Sequence, residues 1–141
     1  MSAMEEKEPS TQEILGTYQN LMAECRNIAT KIGELNLEKD EHRLVIDTMS
    51  KLDSARTAYR LVGGVLVERT TGEILPAIQQ QYDGISTLLE KLDETLKTKE
   101  AERKAYKEKY GIMTQEEKEN LLKRQARESQ NGGKMQLNEK R

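Results

Sequence analysis

At 141 residues the chain has the length of one ordinary domain, yet it contains no Trp, no Phe, five Tyr and two Pro, and 34% of its residues are charged. That composition cannot fill a thick core, and it leaves disorder or long helices burying a narrow stripe as the alternatives. The formal net charge is −2 with both signs mixed along the chain, so a broad basic face for a phosphate backbone is missing and nucleic acid is not an expected partner.

Met1 to Thr11 carry no basic-then-apolar leader pattern, and no stretch approaches the roughly 18–20 apolar residues of a membrane span. The expectation is a cytosolic protein, with nuclear presence also compatible, and no membrane partner. The single cysteine, Cys25, forms no internal disulfide and no cysteine-based zinc site.

Residues 1–9 read as a disordered amino terminus ending at Pro9-Ser10. Ser10 or Thr11 then caps a helix with Glu13 in its first turn. Ile14, Tyr18, Leu21, Cys25, Ile28, Ile32 and Leu35 follow at alternating spacings of four and three, the a/d stripe of a coiled coil. The register runs on through Lys39, His42, Ile46 and Met49 and fades at Asp53 and Arg56, which predicts a helix over 10–57 about 65–70 Å long.

Next, Ala58 to Val62 and Val65 to Thr70 are rich in β-branched residues and flank Gly63-Gly64, the signal of a hairpin with a two-residue turn over 58–70. Pairing across that turn sets Val62 against Val65, Leu61 against Leu66, Arg60 against Val67 and Tyr59 against Glu68, leaving apolar side chains on both faces. A two-stranded hairpin of this kind is marginal in water and hazardous unless covered. It therefore predicts oligomerisation.

Thr70 and Glu73 offer a capping box for a second helix over 71–111, with Pro76 in its first turns where a lost N–H costs least. Its stripe is Leu75, Ile78, Tyr82, Ile85, Leu89, Leu92 and Leu96, then Lys99, Arg103, Tyr106, Tyr110 and Met113. Residues 113–141 form a polar tail, helical from Thr114, with Glu117 completing another capping box. Asn131-Gly132-Gly133 is expected to stop that helix and the last dozen residues to be disordered.

No constellation of catalytic groups surrounds His42 or Cys25, both on the stripe, and Gly63-Gly64 lacks the Lys-Ser/Thr of a phosphate loop. Two thin helices offer no pocket, so no enzyme and no cofactor are expected. The polar stripe residues Lys39, Lys99 and Arg103 read as solvated or snorkelling side chains that tune register. Near the termini, Ile14, Leu15, Tyr18, Leu21, Met22, Tyr106, Tyr110, Ile112 and Met113 exceed what one a/d seam hides. An adaptable binding surface and ordinary packing with fraying stand level as explanations.

The fold class is thus mainly α: a long antiparallel two-helix coiled coil with one β-hairpin between the helices. Glu41 to Thr48, Tyr59 to Thr70 and Leu75-Pro76, in this helix, hairpin, helix order, closely resemble the β-class subunits of prefoldin over about residues 10–112. The resemblance implies a heterohexamer of two α-class and four β-class subunits, joined through their hairpins into a platform from which the coiled coils hang. It further implies that unfolded clients, actin and tubulin among them, are held at the tips and passed to the cytosolic chaperonin without ATP hydrolysis. Transferred residue by residue, Tyr59, Leu61, Val62, Gly63, Gly64, Val65, Leu66 and Val67 would form the assembly surface and the distal apolar set would touch clients. A coiled-coil scaffold or tether remains the rival reading, and it would need no hairpin. A DNA-binding zipper would need a basic extension that is absent.

Overall fold

The computed structural model describes residues 8–139, with side chains through residue 132. The element order is α1 (Thr11–Ser50), β1 (Thr57–Val62), β2 (Val65–Thr70), α2 (Thr71–Tyr110) and α3 (Gln115–Glu139). Most of the expected disorder at 1–9 lies outside the described residues. Ser10 is the amino cap: its hydroxyl accepts from the Glu13 N–H at 3.2 Å, which satisfies one of the orphan donors of the first turn.

Two compact units divide the chain. In the unit of residues 19–103, the α1 and α2 segments run antiparallel. Three contacts establish this: Lys99 meets Glu24 at 3.0 Å, the Lys39 ammonium sits 5.4 Å from the Tyr82 ring centre, and His42 Nε2 lies 3.3 Å from Gln81 Oε1. As residue numbers rise along α1, those of the partners fall along α2.

The stripe positions of both helices are half-buried or buried, with Ile74, Leu35, Tyr18, Leu89 and Cys25 the deepest apolar side chains. Ile74 at 4% exposure is packed more deeply than its neighbour Leu75, so the seam of α2 starts one residue earlier than the spacing suggested. A core this thin leaves little burial within the chain to offset chain entropy.

The first helix is shorter than 10–57. Past Ser50 the chain tightens, with Lys51 N–H donating to Thr48 O and Leu52 N–H to Met49 O, and Asp53 Oδ1 then accepts the Ala55 N–H at 3.1 Å. A short carboxylate bonding its backbone two residues on is an Asx turn, which competes with the helix for the same N–H groups. Strand β1 follows at Thr57, one residue earlier than expected, and Thr57 pairs with Thr70.

In the second unit, residues 1–18 with 104–141, α2 ends at Gly111, whose φ is +58°. Ile112 N–H reaches back to Lys107 O at 3.0 Å and Gly111 N–H to Glu108 O at 3.4 Å, the paired bonds of a Schellman cap. Thr114 then caps α3, its hydroxyl accepting the Glu117 N–H at 3.1 Å.

The tail departs from expectation. Helix α3 continues through Asn131-Gly132-Gly133 to Glu139, where a stop and then disorder were expected; residues 140–141 fall outside the described part. Glycine weakens a helix through backbone entropy but has no clash that forbids one. Gly63, Gly64 and Gly111 are the glycines at positive φ among the described residues, so nothing at Gly132 turns the chain.

Candidate assembly and client surfaces

The hairpin register is the one read from the sequence: Tyr59 opposite Glu68, Arg60 opposite Val67, Leu61 opposite Leu66 and Val62 opposite Val65. Gly63 and Gly64 take φ of +56° and +82°. Two successive positive φ values define a type I′ turn, whose twist matches that of the strands and which side-chain-bearing residues resist.

Alternation sends Tyr59, Leu61, Leu66 and Glu68 to one face and Arg60, Val62, Val65 and Val67 to the other. Tyr59, Leu61, Val62, Val65 and Leu66 are all more than half exposed; Val67 is half-buried. With only two strands in the sheet, each strand also keeps an outer edge of unpaired N–H and C=O groups. The element therefore presents two apolar faces and two hydrogen-bonding edges, the surface that β-pairing with another chain would consume.

What holds this surface in place escaped sequence reasoning. Thr71 has 2% of its surface exposed. Its N–H donates to Arg56 O at 2.9 Å, and its hydroxyl lies 3.0 Å from Asp53 O and 2.9 Å from Arg56 O, a shared donation because one O–H carries one proton. Gly72 N–H donates to Ser54 O at 2.9 Å.

The start of α2 is thus stitched to the turn that ends α1, so both strand ends are fixed to one base. The expected capping box takes another form: Glu73 faces the Arg69 guanidinium at 3.9 Å, and the carbonyls of Ser54 and Arg56 receive the first N–H groups. Gly72 sits in a close approach: a Cβ there would lie 3.2 Å from both Ser54 Cβ and Ser54 O, a tight contact that Ser54 would have to yield to.

The distal candidates divide. Tyr18 is 7% exposed and belongs to the packed seam, because its stripe position aims the ring inward; it is removed from the set of freely accessible tip residues. Leu15 is 46% exposed, while Ile14, Tyr106, Tyr110, Ile112 and Met113 are half-buried. Leu21, half-buried, and Met22, exposed, fall within residues 19–103, in the other unit.

The Tyr106 and Tyr110 rings lie 4.8 Å apart at 55°, a tilted pair of the kind the ring quadrupole favours. Beside them Lys107 and Glu117 form an ion pair of 2.5 Å. That hydrogen bond to the ammonium, first among its causes, holds the Glu117 carboxyl below its ordinary value. This contact ties the last turn of α2 to the first turn of α3 and so sets how the Ile112-Met113 bend is presented.

The polar stripe residues also find specific roles. Lys99 bonds Glu24 across the helices and Glu102 on its own helix at 3.3 Å, and those two hydrogen bonds raise its pKa. Lys39 covers the Tyr82 face. His42 is half-buried, with Nδ1 2.8 Å from Glu38 O, and Cys25 is buried. Among the described residues no group of three or more His, Cys, Asp or Glu could hold a metal ion, and no helix is long and apolar enough to cross a membrane.

Comparison with known proteins agrees with this geometry. A family model described as "Prefoldin subunit" matches residues 12–117. Human "Prefoldin subunit 2" is 41% identical over 103 residues, covering 73% of this chain and 67% of that protein. The Arabidopsis thaliana protein of the same name is 38% identical over 112 residues, covering 79% and 76%. Among solved structures, the prefoldin beta subunit from Thermococcus strain KS-1 superposes with a TM-score of 0.64 at 18% identity, covering 75% of this chain and 93% of that one, a likeness of fold. With helix, exposed hairpin and helix in that order and these matches spanning most of its length, the chain belongs to the prefoldin subunit family.

Proposed function

We propose that this chain is a β-class subunit of a heterohexameric chaperone of two α-class and four β-class subunits, which holds unfolded proteins and releases them to the cytosolic chaperonin without ATP hydrolysis. One observation carries the reading: a hairpin apolar on both faces, open at both edges, and hydrogen-bonded at its base where the two helices meet it. Left alone, such an element exposes leucine and valine to water; shared among several subunits, it becomes a barrel-like platform with its edges consumed.

Client holding would fall to the half-buried and exposed apolar groups near the chain ends, Leu15, Tyr110, Ile112 and Met113, with actin and tubulin as the expected clients. Methionine and tyrosine adapt to varied partners, and shallow contacts from several arms multiply through effective concentration. No covalent chemistry is needed, so we read the protein as a non-enzyme, acting in the cytosol.

The test is native mass spectrometry of the tagged chain isolated with its partners from its own cell extract. A complex of six small, related helical subunits is expected; a homodimer or unrelated partners would return the chain to a coiled-coil scaffold. With the complex in hand, replacing Leu15, Tyr110 and Met113 by Ser should weaken suppression of client aggregation, and unchanged suppression would remove the client role from these residues.

A further inference from the structure

One face of the paired helices in residues 19–103 carries a groove that neither the hairpin nor the chain ends account for. Two depressions of about 270 and about 400 Å³ lie on either side of the His42–Gln81 contact, which lines both. Val45 and Leu88, each 42% exposed, mark opposite walls, with Ile78 and Ile85 half-buried between them. Glu38 and Glu41 stand on the α1 wall, exposed, and neither forms an ion pair among the described residues.

Gly84 lies on the α2 wall in mid-helix. Its φ is not positive, and an added Cβ would meet nothing within 4 Å. Neither backbone conformation nor packing within the chain calls for glycine at this helix-weakening position. Its effect is to deepen the groove.

From these features we propose that the groove receives a basic, amphipathic helix of a partner protein. Residues 78–88 span about 15 Å of helix axis, or three turns. Both walls are α-helices whose backbone bonds are internal, so they offer an extended strand nothing to pair with; an occupant that arrives with its own backbone satisfied, as a helix does, suits them better. Valine, isoleucine and leucine receive its apolar stripe. The unpaired Glu38 and Glu41 carboxylates then select Lys or Arg on the flank, giving specificity more than affinity.

The inference is separate from client holding. The probe is a 14-residue designed helix, leucine along one face with lysine flanking it and one photoreactive residue in the stripe, beside a twin with glutamate replacing lysine. Each is irradiated with the full chain purified together with its partner subunits, and cross-links are mapped by peptide mass spectrometry.

The lysine peptide is expected to label residues 38–45 and 78–88. Gly84→Leu fills the groove with a better helix former, so it should cut that labelling at least tenfold while circular dichroism shows undiminished helix. Glu38→Lys with Glu41→Lys should cut it similarly and admit the glutamate twin. Labelling of these segments that survives Gly84→Leu, equal labelling of the unaltered chain by the glutamate twin, or no labelling there at all would overturn the proposal, whether or not the six-chain complex forms.

Discussion

Replacing Leu61 and Leu66 together by Ser tests the assembly surface most directly, because the two residues face each other across the strands and are 70% and 64% exposed. Fully burying a leucine is worth about 1.5–3 kcal/mol. Roughly two thirds of that remains to be gained when a partner covers each side chain, or about 1–2 kcal/mol apiece and 2–4 kcal/mol for the pair. At about 1.4 kcal/mol per decade, partner affinity should fall roughly 30- to 700-fold.

The chain itself loses less, since only about a third of each side chain is covered within its own fold. The assay is titration of partner subunits against the tagged chain, read by native mass spectrometry, with helix content followed by circular dichroism. Leu37 and Leu44 supply the control: 67% and 64% exposed and on α1, not the hairpin, they should tolerate Ser with affinity unchanged. Wild-type affinity in the Leu61/Leu66 variant, or an equal loss in the Leu37/Leu44 variant, would refute the argument that exposed hairpin area drives assembly.

Thr71→Val keeps shape but removes the hydroxyl that serves Asp53 O and Arg56 O, and should cost about 1–2 kcal/mol in denaturant unfolding of the assembled protein, with Thr71→Ser recovering most of it. Gly72→Ala should destabilise, because the new Cβ crowds Ser54 at 3.2 Å and moving Ser54 away strains the Gly72 N–H bond to its carbonyl, whereas Gly84→Ala, in open space, should stabilise by up to about 1 kcal/mol; opposite signs from the same substitution are the check. Glu117 has its pKa lowered in the fold, so its contribution is fully present above the ordinary carboxylate value and is lost as pH falls through the lowered one. Hydrogen exchange in the first turn of α3 should therefore speed up on acidification, and Glu117→Gln should remove that part of the pH dependence.

Features written in a few neighbouring residues were legible from the start. The alternation of fours and threes announces a helical stripe wherever it runs, and Gly63-Gly64 between β-branched segments announces both a hairpin and its register, because a two-residue turn leaves one way to pair the strands. The client candidates were less legible. Spacing places Tyr18 on the stripe but does not say how completely a ring there is covered, and the structure buries it.

The α1 boundary was lost for a similar reason. Asp53 and Ser54 signal a turn, but the fading stripe overran them. The stitch at Thr71 and Gly72 was invisible, since it depends on carbonyls fifteen or more residues away arriving at one point, and no local pattern encodes that meeting.

The sequence by itself thus determined the elements, their order and the exposure of an apolar hairpin, all consequences of backbone preference and side-chain period. Tertiary structure decided which groups are stitched, which are buried and where a groove opens. Those depend on how closely two helices approach, a distance set by packing along the whole seam and by no single residue within it.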